Sequence, residues 1–202
     1  MKITEMTIPD AFRIVPDQIP DLRGNFYESW RQSELTAAMG RPFTVEQVNY
    51  SVSQRGTLRG IHGTTMPPGQ AKVITCVRGQ VLDVVVDLRI GSPTFGMYET
   101  TIQDEESGIT VCIAEGLGHA FLALTDDVCM NYVCAAEYVH GTMLDIQALD
   151  PKIGIPWNLT EDPIMSEKDR AAPTLDEAVA LGLLPTYEQC LAHYAAAKET
   201  SR

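Results

Sequence analysis

The chain has no cluster of lysine or arginine. Its 15 basic residues are scattered among 27 acidic ones, for a net charge of −12 over 202 residues. A nucleic-acid binder presents a basic face, so DNA and RNA are not expected as partners, and the acidic balance reads as a solubility feature. No apolar run approaches the roughly 20 residues of a membrane helix, and the opening MKITEMTIPD has no apolar signal-peptide core. Together these absences predict a cytoplasmic protein without a membrane partner. No Cys-x-x-Cys pair occurs, and the cysteines (Cys76, Cys112, Cys129, Cys134 and Cys190) are odd in number. Four lie in apolar strand-like runs, where a thiol behaves as a small hydrophobe, so buried, reduced thiols are expected. No His-x-His occurs among the 4 histidines. Metal-binding β-barrels usually draw on two or three histidines and a carboxylate, so no metal is expected. There is no strand–helix alternation, internal repeat or linker, which predicts one domain over residues 1–202.

What the chain does contain is strand after strand. Segments 72–77, 81–88, 97–103, 109–113, 120–124 and 129–135 are β-rich and separated by turn signals such as Arg78-Gly79-Gln80 and Gly91-Ser92-Pro93. Short strands at this spacing indicate an all-β sandwich or barrel. A short helix is expected over 32–40, with Ser33 as N-cap and Gly40 as stop. Two more helices are expected near the end, at 174–181 behind a Thr174/Glu177 capping box and at 186–197. In the strand beginning at Thr44, the residues Val45, Gln47, Asn49, Ser51 and Ser53 share one parity. A face so polar either meets water or lines a polar pocket.

The chemistry concentrates in Arg59–Lys72, RGIHGTTMPPGQAK. It reads as a strand end, a turn and the start of the next strand, with His62 in the loop. Glycine and proline punctuate turns, and functional side chains favour turns on a rigid scaffold. A second histidine, His119, sits at a strand entry in EGLGHAF, while His140 and His193 read as surface residues. A histidine can serve as general base near neutral pH, a Lys or Arg can stabilise an oxyanion, and a Tyr hydroxyl can return a proton. These types suit an anionic substrate and proton abstraction next to a carbonyl.

Several long stretches resemble the dTDP-4-dehydrorhamnose 3,5-epimerases over roughly residues 10–187. They are DLRGNFYESW, VEQVNYSVSQRGTLRGIH, PPGQAKVITCVRGQVLDVVVDLRIGSPTFG, EGLGHAFLAL, NYVCAAEY, LDPKIGIPW and MSEKD. The resemblance implies a jelly-roll cupin sandwich with short N- and C-terminal helices (the latter from about 173), acting as a homodimer on a dTDP-4-keto-6-deoxy sugar without metal or cofactor. It implies His62 as general base with Asp169 as its carboxylate partner, Lys72 near the C4 oxygen and Tyr132 as acid. Arg23, Glu28, Gln47, Asn49, Arg59, His119 and Lys168 match substrate contacts, and Tyr138 the aromatic that stacks on thymine. The chain departs from the family at Gly63 and Thr64, where an aromatic and Gln are usual, and at Met143, where Glu is usual. Gly63 is expected to remove a ring from the pocket. The stretches HGTTMPPGQAK, GHAF and ALDP look closer to epimerases of antibiotic sugar pathways, several of which invert one centre only. Two other readings are a non-catalytic sugar-nucleotide-binding cupin and a metal-dependent cupin enzyme.

Overall fold

A computed structural model describes residues 1–199. Two antiparallel sheets stack face to face. In the first, the spatial order is β1 (Lys2–Glu5), β2 (Ala11–Val15), β10 (Thr110–Ile113), β7 (Lys72–Arg78), β12 (Val128–Cys134) and β5 (Gln47–Ser53). In the second it is β13 (Met143–Asp145), β6 (Leu58–Thr64), β11 (Leu117–Ala123), β8 (Gln80–Asp87) and β9 (Tyr98–Asp104). A separate hairpin pairs β3 (Ile19–Asp21) with β4 (Gly24–Phe26). This is the expected all-β sandwich. Among the described residues, no helix is long and apolar enough to cross a membrane.

Three apolar layers hold the sandwich together. Between the sheets lie Ile74, Val85, Val111, Ile113, Phe121 and Met130. Outside the six-stranded sheet, Phe12, Ile14, Val73 and Cys112 are covered by Leu35 of α1 (Gln32–Met39) and by Phe43. Outside the five-stranded sheet, Leu58, Ile61, Val84, Val86 and Leu122 are covered by the chain from Leu144 to Leu184, including Trp157 and Leu175. Thus β8 carries valines in both parities, Val81 and Val85 inward and Val84 and Val86 outward, because both its faces are buried. The cysteines are free, and all but Cys129 are buried.

The helices follow their local signals in part. Thr174 caps α3 (Leu175–Ala180) with the full capping box. α4 (Tyr187–Glu199) ends the described chain. Gly40 stops α1 in the left-handed conformation, but Ser33 is not its N-cap. Arg31 takes that position without a side-chain bond, because burial of Leu35 rather than capping fixes the helix. His62 also differs from expectation, lying inside β6 rather than in a loop.

One irregularity positions the site. Along β6 and β11, His119 pairs with His62 and Phe121 pairs with Arg59, so two residues of β6, Gly60 and Ile61, oppose one of β11, Ala120. An extra residue of this kind is a bulge. In a regular strand Arg59 and His62 would point to opposite faces. With the bulge, Leu58 and Ile61 both enter the outer core, and Arg59 and His62 both turn toward the six-stranded sheet. Gly60 makes this passage. Its φ is +114°, and a Cβ there would lie 2.6 Å from the His119 carbonyl and 2.7 Å from the Ala120 Cβ. Gly60→Ala is therefore expected to destabilise the protein by about 1–3 kcal/mol, measured by urea denaturation. An unchanged midpoint would contradict the close approach.

Candidate active site

Two walls define the site. On the five-stranded sheet, His62 stands opposite Asp145 across β6 and β13, and opposite His119 across β6 and β11. Asp169 is brought to His62 by the four-residue helix α2 (Glu167–Arg170), where Ser166 Oγ accepts the Asp169 N–H at 3.0 Å. His62 Nε2 lies 2.8 Å from Asp169 Oδ1 and 3.7 Å from Asp145 Oδ1. With Nε2–H donated to Asp169, the lone pair of a neutral ring falls on Nδ1, the geometry of an oriented general base.

Asp169 is almost fully buried. Burial alone would raise its pKa, but the His62 hydrogen bond and charge, the Gly60 N–H and the Lys168 charge outweigh it and hold the carboxyl below its usual value. It is therefore ionised across the working pH range. Lys168 Nζ in turn binds Asp145 Oδ1 at 2.9 Å.

The six-stranded sheet forms the other wall. Gln47, Asn49, Lys72, Tyr132, Tyr138, Met143 and Lys168 border a cavity of 330 Å³. Lys72 and Cys134 are direct cross-strand partners, as are Tyr132 and Asn49. Burial lowers the Lys72 pKa, with the neighbouring Cys134 and Asp145 opposing. Burial also raises the Tyr132 pKa, so its hydroxyl keeps its proton; Asp83 adds to this, while the Ser51 contact and Arg59 work against it. Gln47 accepts the Tyr138 backbone N–H at 2.7 Å and donates to Asn49 at 2.8 Å. The polar parity from Gln47 to Ser53 is thus a pocket wall. Arg59 donates to Ser53 Oγ at 3.0 Å and to the Val52 carbonyl at 3.3 Å, bridging the two sheets.

Arg23 and Glu28 do not join this constellation. Arg23 is paired with Asp21 on the exposed β3–β4 hairpin, and Glu28 with Arg31. Neither borders the cavity.

The expected role of Gly63 is also overturned. Its parity is opposite to that of His62, and a Cβ there would meet Leu88 Cδ1 at 3.5 Å and Leu144 Cδ2 at 3.6 Å. Those leucines belong to the outer core. A ring at 63 would press on that core, so its loss opens no space in the pocket. The departures that do face the pocket side are Thr64 and Met143, which are cross-strand partners. Beyond Met143 and Lys168 a second cavity of 410 Å³ opens toward Ala171, Pro173 and Leu183.

Two functional candidates escaped the sequence reading. Asp145 was hidden in TMLD, a three-residue strand whose pairing with β6 had no strong pattern. Asp83 interrupts the apolar run VLDVVVD, and that interruption was the available signal. His62, Asp145 and Asp169 offer three donor atoms within 4.8 Å of one another. Each carboxylate already has a donor among the described residues, Lys168 Nζ for Asp145 and the His62 ring N–H for Asp169.

A double-sheet jelly roll with a histidine–aspartate pair on one wall and a lysine and tyrosine on the other defines a cupin-like acid–base enzyme. The comparisons with known proteins specify it further. The family model described as dTDP-4-dehydrorhamnose 3,5-epimerase matches residues 5–177. A dTDP-4-dehydro-6-deoxyglucose 3-epimerase of Streptomyces bikiniensis is 48% identical over 183 residues, 91% of this chain and 93% of the relative. A dTDP-4-dehydrorhamnose 3,5-epimerase of Mycolicibacterium smegmatis is 44% identical over 95% of this chain and 94% of its own length. The crystal structure of NovW, a 4-keto-6-deoxy sugar epimerase from the novobiocin cluster of Streptomyces spheroides, superposes with a TM-score of 0.92 at 43% identity, covering 94% of this chain and 95% of that one. The chain belongs to the dTDP-4-dehydrorhamnose 3,5-epimerase family and is an isomerase-class enzyme.

The Asp169 environment has a pH signature. A carboxyl whose native pKa is depressed adds stability that is present above the unfolded value of about 3.9 and is lost as pH falls through the native value. Asp169→Asn is therefore expected to cost about 1.5–3 kcal/mol at pH 7, with the gap to wild type closing below pH 4 in denaturant titrations. A gap constant with pH would contradict the ionised pair.

Proposed function

We propose that the protein, acting as one domain, epimerises a dTDP-4-keto-6-deoxyhexose in deoxysugar biosynthesis, by proton abstraction next to the C4 ketone. The observation that supports the reading is an oriented base on β6 facing a sheet that carries a lysine and a protonated phenol, with Lys168 bordering their cavity and binding Asp145, the cross-strand partner of His62. The ketone acidifies the protons on C3 and C5 through enolate resonance. His62 Nδ1 removes one of them; the C–H electron pair forms the C3=C4 or C4=C5 double bond of the enolate, and the carbonyl π pair moves onto the C4 oxygen. Lys72 stabilises the oxyanion, a term that counts most in a water-poor site. Tyr132 then delivers its proton to the same carbon from the other face, which inverts the centre. Asp169 holds the His62 tautomer and offsets the charge of the imidazolium that forms.

The nucleotide supplies binding energy away from the reacting carbon. Tyr138, more than half exposed at the cavity mouth, offers a platform for thymine. Arg59 supplies a cationic group for the diphosphate end, and Gln47, Asn49 and Lys168 supply polar contacts. Thr64 and Met143 replace polar positions of the family with shorter or apolar side chains, which supports a substrate modified on the sugar. A single inverted centre fits the same departures, and the relative of Streptomyces bikiniensis, named as a 3-epimerase, favours C3 over C5.

The enzyme acts as a homodimer in this reading, in the cytoplasm, where its free thiols stay reduced. Two features support the dimer. β5 is an edge strand whose outer face exposes Val48, Tyr50 and Val52, and such edges are normally covered or charged. Arg23 and Glu28 lie outside their own pocket, next to exposed Leu22 and Phe26, so they reach substrate from a second copy.

Two experiments test these statements. Incubation of dTDP-4-keto-6-deoxyglucose with the enzyme in D2O, followed by proton NMR, is expected to show enzyme-dependent deuterium at C3 or C5. His62→Ala should abolish that exchange, whereas Tyr132→Phe should retain exchange and lose inversion; unchanged turnover in Tyr132→Phe would remove Tyr132 as the acid. Mixing inactive Arg23→Ala and His62→Ala proteins should restore about a quarter of wild-type activity through mixed dimers. No recovery, with subunit exchange verified, would contradict a shared site.

A further inference from the structure

Asp83 is fully buried in β8, in the inward parity shared with Val81 and Val85. Its Oδ2 lies 2.5 Å from His119 Nε2, while its Oδ1 is buried with no hydrogen-bond partner among the described residues. A half-satisfied buried carboxylate is a liability for stability, and the neighbouring inward positions show that an apolar side chain would fit there. The group therefore calls for an explanation outside stability.

His119 is where that explanation lies. The imidazole is nearly buried and stands directly across from His62. One edge meets the Tyr132 ring, with centroids 6.0 Å apart and planes at 77°. The Phe121 ring also lies near it, with centroids 6.3 Å apart. Among the described residues the Tyr132 hydroxyl has one polar contact, Ser51 Oγ at 3.5 Å, which is long for an O–H···O bond. Hydrogen bonding thus fixes the phenol poorly, and its plane depends on packing, against the inter-sheet core on one hand and the His119 ring on the other. Among the contacts of that ring, the bond to Asp83 is the one that sets its rotation.

We propose that Asp83 is a positioning residue for the proton-return step: by locking His119 through Nε2, it holds the Tyr132 ring in the plane from which the phenol reaches the substrate carbon. The proposal rests on Tyr132 being the acid of the epimerase reaction. It assigns the two aspartate–histidine pairs to opposite halves of the cycle. Asp169–His62 takes the proton, and Asp83–His119 keeps the donor aimed.

The test is Asp83→Asn, which keeps the shape and removes the charge. In D2O two rates are followed on the same sample: deuterium entry at the attacked carbon, which needs His62, and formation of inverted product, which needs Tyr132. Exchange should stay within about twofold of wild type while inversion falls at least roughly tenfold, the scale of a misaligned reacting group. Thermal stability should be unchanged or higher, whereas a purely structural aspartate would lower it and depress both rates together. His119→Asn should shift the ratio in the same way, and the double variant should be no worse than either single one, because the two act as a unit. His119→Asn carries the test if Asp83→Asn does not fold. Equal loss of exchange and inversion, or no loss of either, in an otherwise active enzyme would overturn the proposal. Absence of exchange in the wild type would overturn the epimerase reading and this proposal with it.

Discussion

The site depends on how closely β6 approaches β11 at Gly60. Because no side chain stands there, the strand can carry one extra residue without leaving the sheet. That residue turns Arg59 and His62 to the same face and keeps Leu58 and Ile61 together in the outer core. The same turn lets the Gly60 N–H reach Asp169 Oδ2, at 3.4 Å. A steric allowance of one methyl group thus decides which face carries the base, and it helps to seat the carboxylate that orients it.

Electrostatics then divide the pocket. The five-stranded wall holds two imidazole–carboxylate pairs, with Lys168 balancing Asp145. The six-stranded wall holds a half-buried lysine and a phenol, each driven by desolvation toward its uncharged form. Such a lysine gains from an oxyanion forming beside it, and such a phenol resists giving up its proton until a carbanion-like carbon is within reach. Burial thus makes both groups responsive to the intermediate rather than to the resting substrate, which is the condition for catalysis by differential binding.

Much of this was legible in the chain. Turn spacing gave the sandwich, and the polar parity of Gln47 to Ser53 marked a pocket wall, because alternation is a local property that burial enforces. The pairing of His62 with Asp169, 107 residues apart, was not legible from pattern, and only the family likeness suggested it. The bulge was invisible for a related reason: RGIH looks like an ordinary strand end until β11 supplies the atoms that exclude a Cβ at Gly60. The misreading of Gly63 has the same root, since the side to which a residue points depends on a register that the local sequence does not carry. Asp145 and Asp83 were overlooked because a lone acidic residue in a short or apolar strand acquires meaning only from its cross-sheet neighbours.

The most direct test of the account is the structure of the enzyme bound to a dTDP-hexose. It predicts the sugar between the two sheets, with His62 Nδ1 and Tyr132 Oη on opposite faces of the ring and each about 3–3.5 Å from the same carbon. Both groups on one face, or a sugar seated away from His62, would contradict it.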